Sequence, residues 1–272
     1  MKPNDHVSMA EFFGWKHHPF TDLRPLSKPF MSERDERICH QARCLLGIGK
    51  SFAITGPTGA GKSTLVQHIL LELDANYYKT VFIHYGGLKR SGILRAVADK
   101  LDVDPQGRSV PLLVKLQNHI ASIIAGASPV HPVIVVDDAQ HIERESLTDL
   151  CSLIVCPPHK NAAASLIVVG DETLTKTLKL SIMTQIRTRL TNNLRMEPLN
   201  EMETERFIAY RCEKAKAPKD LVEPDAMTLM AAHCRGNRRE IMNTGTVLLD
   251  EAFYRKERTI SSQLMTGCDL FS

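Results

Sequence analysis

Hydrophobic positions along the chain fall into short unbroken runs separated by longer amphipathic segments. Val133-Ile134-Val135-Val136 and Leu166-Ile167-Val168-Val169 are apolar without alternation. That is how a central parallel strand reads when helices cover both faces of its sheet. Ser51-Phe52-Ala53-Ile54 is a further apolar run, and Val81-Phe82-Ile83-His84-Tyr85 is rich in β-branched and aromatic residues, so both are strand candidates. Between them the period changes. A helix is predicted from Ser32, with Asp35 three residues on, to about Leu46, and a helix-like run follows at Thr64–Leu70. Ile93–Leu101 carries apolar residues at Ile93, Leu94, Val97 and Leu101, and Pro111 opens a helix over Leu112–Ala125. Strands alternating with helices predict an α/β domain with a parallel sheet and right-handed crossovers.

The pattern changes after Pro198. Asn200 with Glu203 signals a helix through about Lys214, Pro224 begins one through His233, and Gly236-Asn237 precedes a third from about Arg238 to Lys256. With no strand candidate in this part, it reads as a small helical bundle. Residues 9–30 read as an irregular arm. The expected organisation is an N-terminal arm over 1–30, an α/β domain over 31–198, a helical domain over 199–258 and a tail over 259–272.

Composition narrows the class. At 272 residues, 43% hydrophobic and 24% charged, the chain has the profile of a soluble globular protein. No apolar run approaches the roughly 18 residues of a membrane span, and Met1-Lys2-Pro3-Asn4-Asp5-His6 lacks the apolar core of a signal peptide, so a cytoplasmic protein without membrane contact is expected. Seven cysteines without a C-x-x-C pair read as buried thiols in a reducing compartment. Cys151, Cys156 and His159 match no common zinc spacing. The net charge of +3 neither demands nor excludes nucleic acid, but it is unevenly spread: Lys176, Lys179, Arg187, Arg189 and Arg195 precede Glu197.

The strongest chemical signal is Gly56-Pro57-Thr58-Gly59-Ala60-Gly61-Lys62-Ser63, a complete G-x-x-x-x-G-K-[ST] between a strand and a helix. Its glycines let backbone N–H groups close around phosphate oxygens at the positive end of the new helix. Lys62 reaches the β- and γ-phosphates of ATP, and the Ser63 hydroxyl ligates Mg²⁺. The run Val133–Val136 ends in Asp137 and Asp138. Asp137 serves Mg²⁺ and Asp138 orients or polarises water, the alternative being two acids that cap the next helix. Asp171, after Gly170, is placed to see the γ-phosphate or the water, or else caps a helix starting near Glu172. Arg187 with Arg189, and Arg238 with Arg239, suit phosphate and transition-state charge. The alternative for each pair is a solvated basic face.

These parts in this order resemble an AAA+ ATPase with a C-terminal helical lid, and more narrowly the ExeA-like branch with its transposon regulators TniB, IstB, MuB and TnsC. Phe12-Phe13-Gly14-Trp15 with Pro19-Phe20 resembles the branch's opening motif. Asp137-Asp138-Ala139-Gln140 resembles its D-E-A-Q, and Val168-Val169-Gly170 its sensor-1 strand. Arg189-Leu190 before Met196-Glu197-Pro198-Leu199 resembles its arginine step, and Gly236 to Asn243 its sensor-2 entry. The resemblance implies that Lys62, Ser63 and Thr64 bind phosphate and Mg²⁺ and that Asp138 takes the catalytic carboxylate's place. It also implies that Arg189 is the leading arginine-finger candidate beside Arg187, that Arg239 is the sensor-2 arginine, and that Gly14–Phe20 lies near the adenine. Asp138 stands where the branch has Glu, one methylene shorter. Misplacement of that size costs about 10²-fold in rate, so either Asp138 works through a second water or hydrolysis is slow. Arg238 stands where proline is usual and adds a second basic contact.

Secretion-type members of the branch carry a membrane span and a wall-binding module after the ATPase, whereas the transposition regulators are compact and of this length. The expected function is therefore an ATP-dependent DNA-binding oligomer, ring or filament, that marks target DNA and recruits or stimulates an integrase-like transposase. The alternative is an accessory ATPase of a secretion system. Lys89 and Arg90 lie in the turn that faces DNA in the related regulators, and Arg108 with Ser109 lies where a second backbone contact is found. The alternative for Lys89 and Arg90 is a solvated turn.

Overall fold

The computed structural model describes residues 8–23, 28–84, 87–106, 110–156 and 161–268. Two compact units are present. One comprises Glu33–Pro57 and Lys62–Met196; the other comprises residues 1–32, Thr58–Gly61 and residues 197–272.

The first unit is built on β1 (Ser51–Thr55), β2 (Tyr78–His84), β3 (His131–Asp137), β6 (Ser165–Gly170) and β7 (Leu190–Arg195), in the order β2-β3-β6-β1-β7 with every pair parallel. β4 (Val155–Cys156) and β5 (Asn161–Ala162) form a separate antiparallel pair. All residues of β1 and β6 are buried, which is why those runs are apolar without a break. On one face, Ile134, Val136, Leu166 and Val168 join Ile93, Val97, Leu116, Ile120, Leu147 and Leu150 from the helices Arg90–Lys100, Leu112–Ala125 and Arg144–Leu153. Glu33–Gly47 and Lys62–Leu71 pack against each other and against the strands β1, β6 and β7. Helices thus lie on both sides of the five-stranded parallel sheet.

β7 was not anticipated. Its sequence, Leu190-Thr191-Asn192-Asn193-Leu194-Arg195, is polar because it is an edge strand with an exposed side.

The second unit is helical: Glu201–Lys214, Pro224–Cys234, Arg238–Arg255 and the short Ser262–Thr266. Asn200 and Glu203 form both arms of a capping box. Residues 8–23 include a helical turn, Met9–Phe13, and Phe13, Trp15 and Phe20 are buried among Phe207, Ile208, Ile241 and Leu248. Phe13 and Trp15 stack at 4.6 Å, and Arg211 donates to the Pro19 and Thr21 carbonyls at 2.8 and 2.6 Å. Burial pulls the Arg211 pKa down, the cost of a charge that holds this segment in place.

Gly236 has φ +71°, and a Cβ there would stand 1.8 Å from the Leu199 oxygen, while Leu199 N–H donates to the Gly236 carbonyl at 2.9 Å. Gly236→Ala therefore meets both positive-φ strain and a backbone clash. It is expected to lower stability by at least about 2 kcal/mol, read as a reduced denaturation midpoint with an unchanged m-value.

Candidate functional site

β1 ends at Thr55, and the chain turns through Gly56–Gly61 into the helix Lys62–Leu71. The strand's end is pinned: Met196 N–H donates to the Thr55 carbonyl at 2.7 Å, and the Thr55 hydroxyl donates to Asn193 Oδ1 at 2.8 Å. Gly59 and Gly61 both have positive φ, so the loop backbone curls as an anion-binding concavity requires. The buried Lys62 ammonium donates to the Gly56 and Pro57 carbonyls at 2.8 Å each. Ser63 and Thr64 are exposed in the first helical turn, where backbone N–H groups lack intrahelical partners.

The acid pair lies at the carboxyl end of β3, where His84 of β2 is in register with Asp137. Asp137 is 2% exposed, and its Oδ1 accepts the Asp138 N–H at 3.0 Å. His84 spans the two acids, with Nδ1 3.6 Å from Asp137 Oδ2 and Nε2 3.6 Å from Asp138 Oδ2. Asp138 sits at φ +54°, a left-handed conformation that Asp tolerates better than most residues. Gln140 donates from Nε2 to Asp138 Oδ1 at 3.3 Å and accepts the Asp171 N–H at 3.3 Å. His84 and Gln140 thus bracket Asp138. From the residue pattern alone, His84 is one more position inside a strand candidate, with no role attached. The signal was a polar residue ending an apolar strand, the same signal that picked out Asp137.

Oxygen donors from Asp137 and Ser63 suit Mg²⁺, which keeps several waters and takes substrate phosphates as ligands. Among the described residues no group of three or more His, Cys, Asp or Glu could hold a metal alone.

Other candidate residues have different surroundings. Asp171 Oδ1 accepts the Thr173 and Leu174 N–H groups at 2.7 and 3.3 Å, so it caps the helix Glu172–Lys179. Arg189 is half-buried and donates to the Cys151 carbonyl, while the exposed Arg187 donates to the Lys179 carbonyl at 3.1 Å. Arg90 makes a two-pronged pair with Asp149, Nε to Oδ2 at 2.6 Å and Nη2 to Oδ1 at 2.7 Å, and is thereby committed to a buried carboxylate. Lys89 is exposed at the head of the helix Arg90–Lys100. Arg108 and Ser109 lie outside the described residues, as do His159 and the Cys156 side chain.

In the helical unit, Arg239 is exposed, and its Cβ lies 3.0 Å from the position of a Cβ on Gly59. Arg238, expected as a second basic contact, is instead buried and donates to the Ala60 carbonyl. Burial pushes the Cys39, Cys151 and Cys212 thiols up to about 11, which makes them inert.

Residues 49–178 match the family model of the AAA domain. Among solved structures, the chain is similar to the Aeropyrum pernix ORC2 protein in its ADPNP–ADP complexes, with a TM-score of 0.70, 16% identity, and 93% of this chain and 71% of that one covered. The Aeropyrum pernix ORC1 protein in complex with DNA gives a TM-score of 0.67 at 14% identity over 88% of this chain and 65% of that one. The Thermotoga maritima RuvB Holliday junction branch migration motor gives 0.59 at 16% identity over 87% and 68%. The search of curated proteins finds no match to this sequence. The fold is that of the P-loop AAA+ NTPases.

His84→Ala removes one of the two side chains that bracket Asp138. The expected outcome is hydrolysis slowed about tenfold or more with ATP affinity within about twofold of wild type, measured by phosphate release and by titration of a fluorescent ATP analogue.

Proposed function

We propose that this chain is an ATP-dependent DNA-binding regulator of transposition that assembles on duplex DNA in its ATP-bound form and recruits or stimulates an integrase-like transposase. The observation that carries the nucleotide reading is the acid pair. Asp137 is buried at a strand's carboxyl end, and Asp138 is held beside it by His84 and Gln140. In that reading Gly56, Pro57, Thr58, Gly59, Ala60, Gly61, Lys62, Ser63 and Thr64 bind the phosphates, and Arg239, beside Gly59, adds positive charge. Ser63 and Asp137 hold Mg²⁺, which neutralises phosphate charge when bound. Asp138 orients the attacking water. An arginine of a neighbouring copy completes the site. Arg187 is the more exposed of the two candidates, and Arg189 must leave the Cys151 carbonyl to serve.

The DNA and transposase parts rest on the motif resemblance, and the likeness to an ORC1 protein in complex with DNA and to RuvB supports a DNA-directed engine. No helix among the described residues is long and apolar enough to cross a membrane. Lys89 is the first candidate for backbone phosphate contact, with Arg108 and Ser109 as the second. Such contacts carry little sequence information, as a selector of many target sites requires. Each copy neutralises few phosphates, so affinity comes from the assembly and falls with salt.

Anisotropy of a labelled duplex, titrated with and without ATP, tests the proposal. ATP is expected to strengthen binding at least about tenfold, and equal affinity in both conditions would refute it. Lys89→Glu is expected to weaken DNA binding about tenfold with ATP binding intact. Arg90→Ala is expected to lower the unfolding midpoint instead, because it strips the buried Asp149 of its partner. Co-purification with membrane secretion components, together with no DNA binding, would favour the other branch.

A further inference from the structure

Three consecutive carbonyls of the phosphate loop are taken by one helix end. Asn237 Nδ2 donates to the Thr58 carbonyl at 2.8 Å, Arg239 N–H donates to the Gly59 carbonyl at 3.2 Å, and the Arg238 guanidinium donates to the Ala60 carbonyl. Asn237 also caps its helix, Oδ1 accepting the Arg239 and Glu240 N–H groups at 3.1 and 3.3 Å. Arg238 is 8% exposed, so its charge is withdrawn from water and spent on a loop carbonyl. Gly59 approaches so closely that a Cβ would stand 2.2 Å from Asn237 Oδ1.

In a planar trans peptide the C=O and the following N–H point in opposite directions. Fixing the carbonyls of Thr58, Gly59 and Ala60 therefore fixes the N–H groups of Gly59, Ala60 and Gly61 on the opposite side of the loop. Those N–H groups are the ones a phosphate would need. A loop with two positive-φ glycines can flip its peptides cheaply, and each flip would replace a donor by a repelling carbonyl.

We propose that Arg238 and Asn237 are positioning residues that hold the loop's peptides in the phosphate-accepting orientation before nucleotide arrives. The proposal rests on the reading of Gly56–Ser63 as an ATP site and adds a cause for its pre-organisation.

ATP affinity is measured by calorimetric titration of the full chain, at a temperature where circular dichroism shows each variant folded. Arg238→Met keeps the length and loses the donors, and is expected to weaken ATP binding about tenfold. Arg238→Lys restores a donor and is expected to lie closer to wild type. Asn237→Asp keeps the cap oxygen but sets a second oxygen against the Thr58 carbonyl. It is expected to weaken ATP to a similar degree, and it serves as the test if Arg238→Met does not fold. Hydrogen exchange of the Gly59–Gly61 amides should quicken in both Arg238→Met and Asn237→Asp. ATP affinity within twofold of wild type in a folded Arg238→Met or Asn237→Asp variant would overturn the proposal. So would equal losses in Arg238→Met and Arg238→Lys, which would assign Arg238 to packing. A wild-type chain that does not bind ATP would instead defeat the nucleotide reading itself.

Discussion

A parallel sheet buried on both faces leaves no place for a charge except where its strands stop. Burying an ionised group without partners costs many kcal/mol, so the interior of β1, β3 and β6 is apolar and chemistry is driven to the strand ends. The three hydroxyls these strands carry are all paired, Thr55 Oγ1 donating to Asn193 Oδ1 at 2.8 Å. Ser51 Oγ accepts the Leu166 N–H at 2.9 Å, and Ser165 Oγ meets His131 Nε2 at 2.9 Å. At the carboxyl ends the same constraint gathers Asp137, Asp138, His84 and the backbone of Asp171 into one chain of contacts. The position of the acids is thus a consequence of how the sheet is covered, and their spacing follows from the strand register.

That constraint also decides what could be read from the residues alone. β1, β3 and β6 announce themselves because full burial forces unbroken apolar runs, and the Asn200–Glu203 capping box, Pro224 and Gly236-Asn237 mark the helices of residues 199–258. β7 is silent because an edge strand needs an apolar side chain only where it faces the core, here at Leu194 and, in part, Leu190. Side-chain partners far apart in sequence are silent for a different reason. Nothing local tells that Arg90 belongs to Asp149, 59 residues away, rather than to a solvated or DNA-facing turn. Asp171 shows the limit at short range: an acid before a helix caps it and an acid after a strand meets a ligand, and the sequence context is the same for both. The geometry, with Oδ1 on two helix N–H groups, gives it the cap.

The segment of residues 8–23 makes a similar point about aromatic residues. Phe12-Phe13-Gly14-Trp15 reads as a motif, but Phe13, Trp15 and Phe20 owe their place to the core of the helical unit, where Phe20 fills the space left by Gly245. A motif can therefore mark packing and a ligand site together, since a segment whose aromatic residues anchor it can present its remaining atoms rigidly.

On the proposed reading, the arrangement around Asp138 favours holding ATP over turning it over. The carboxylate is a methylene shorter than the glutamate of the resembling branch, sits in left-handed backbone, and is bracketed by His84 and Gln140. Its missing methylene shortens its reach toward a water, and a shortfall near 1 Å costs about 10²-fold in rate. Binding has no such handicap, because the loop's N–H groups are oriented by bonds on their far side and Lys62 is already buried among loop carbonyls. Lys62 exchanges those carbonyls for phosphate oxygens, a charge-assisted replacement that strengthens its bonds. On that reading, phosphate capture paired with a short carboxylate prolongs the triphosphate state. In a protein whose assembly depends on that state, the lifetime of the assembly is then set at Asp138.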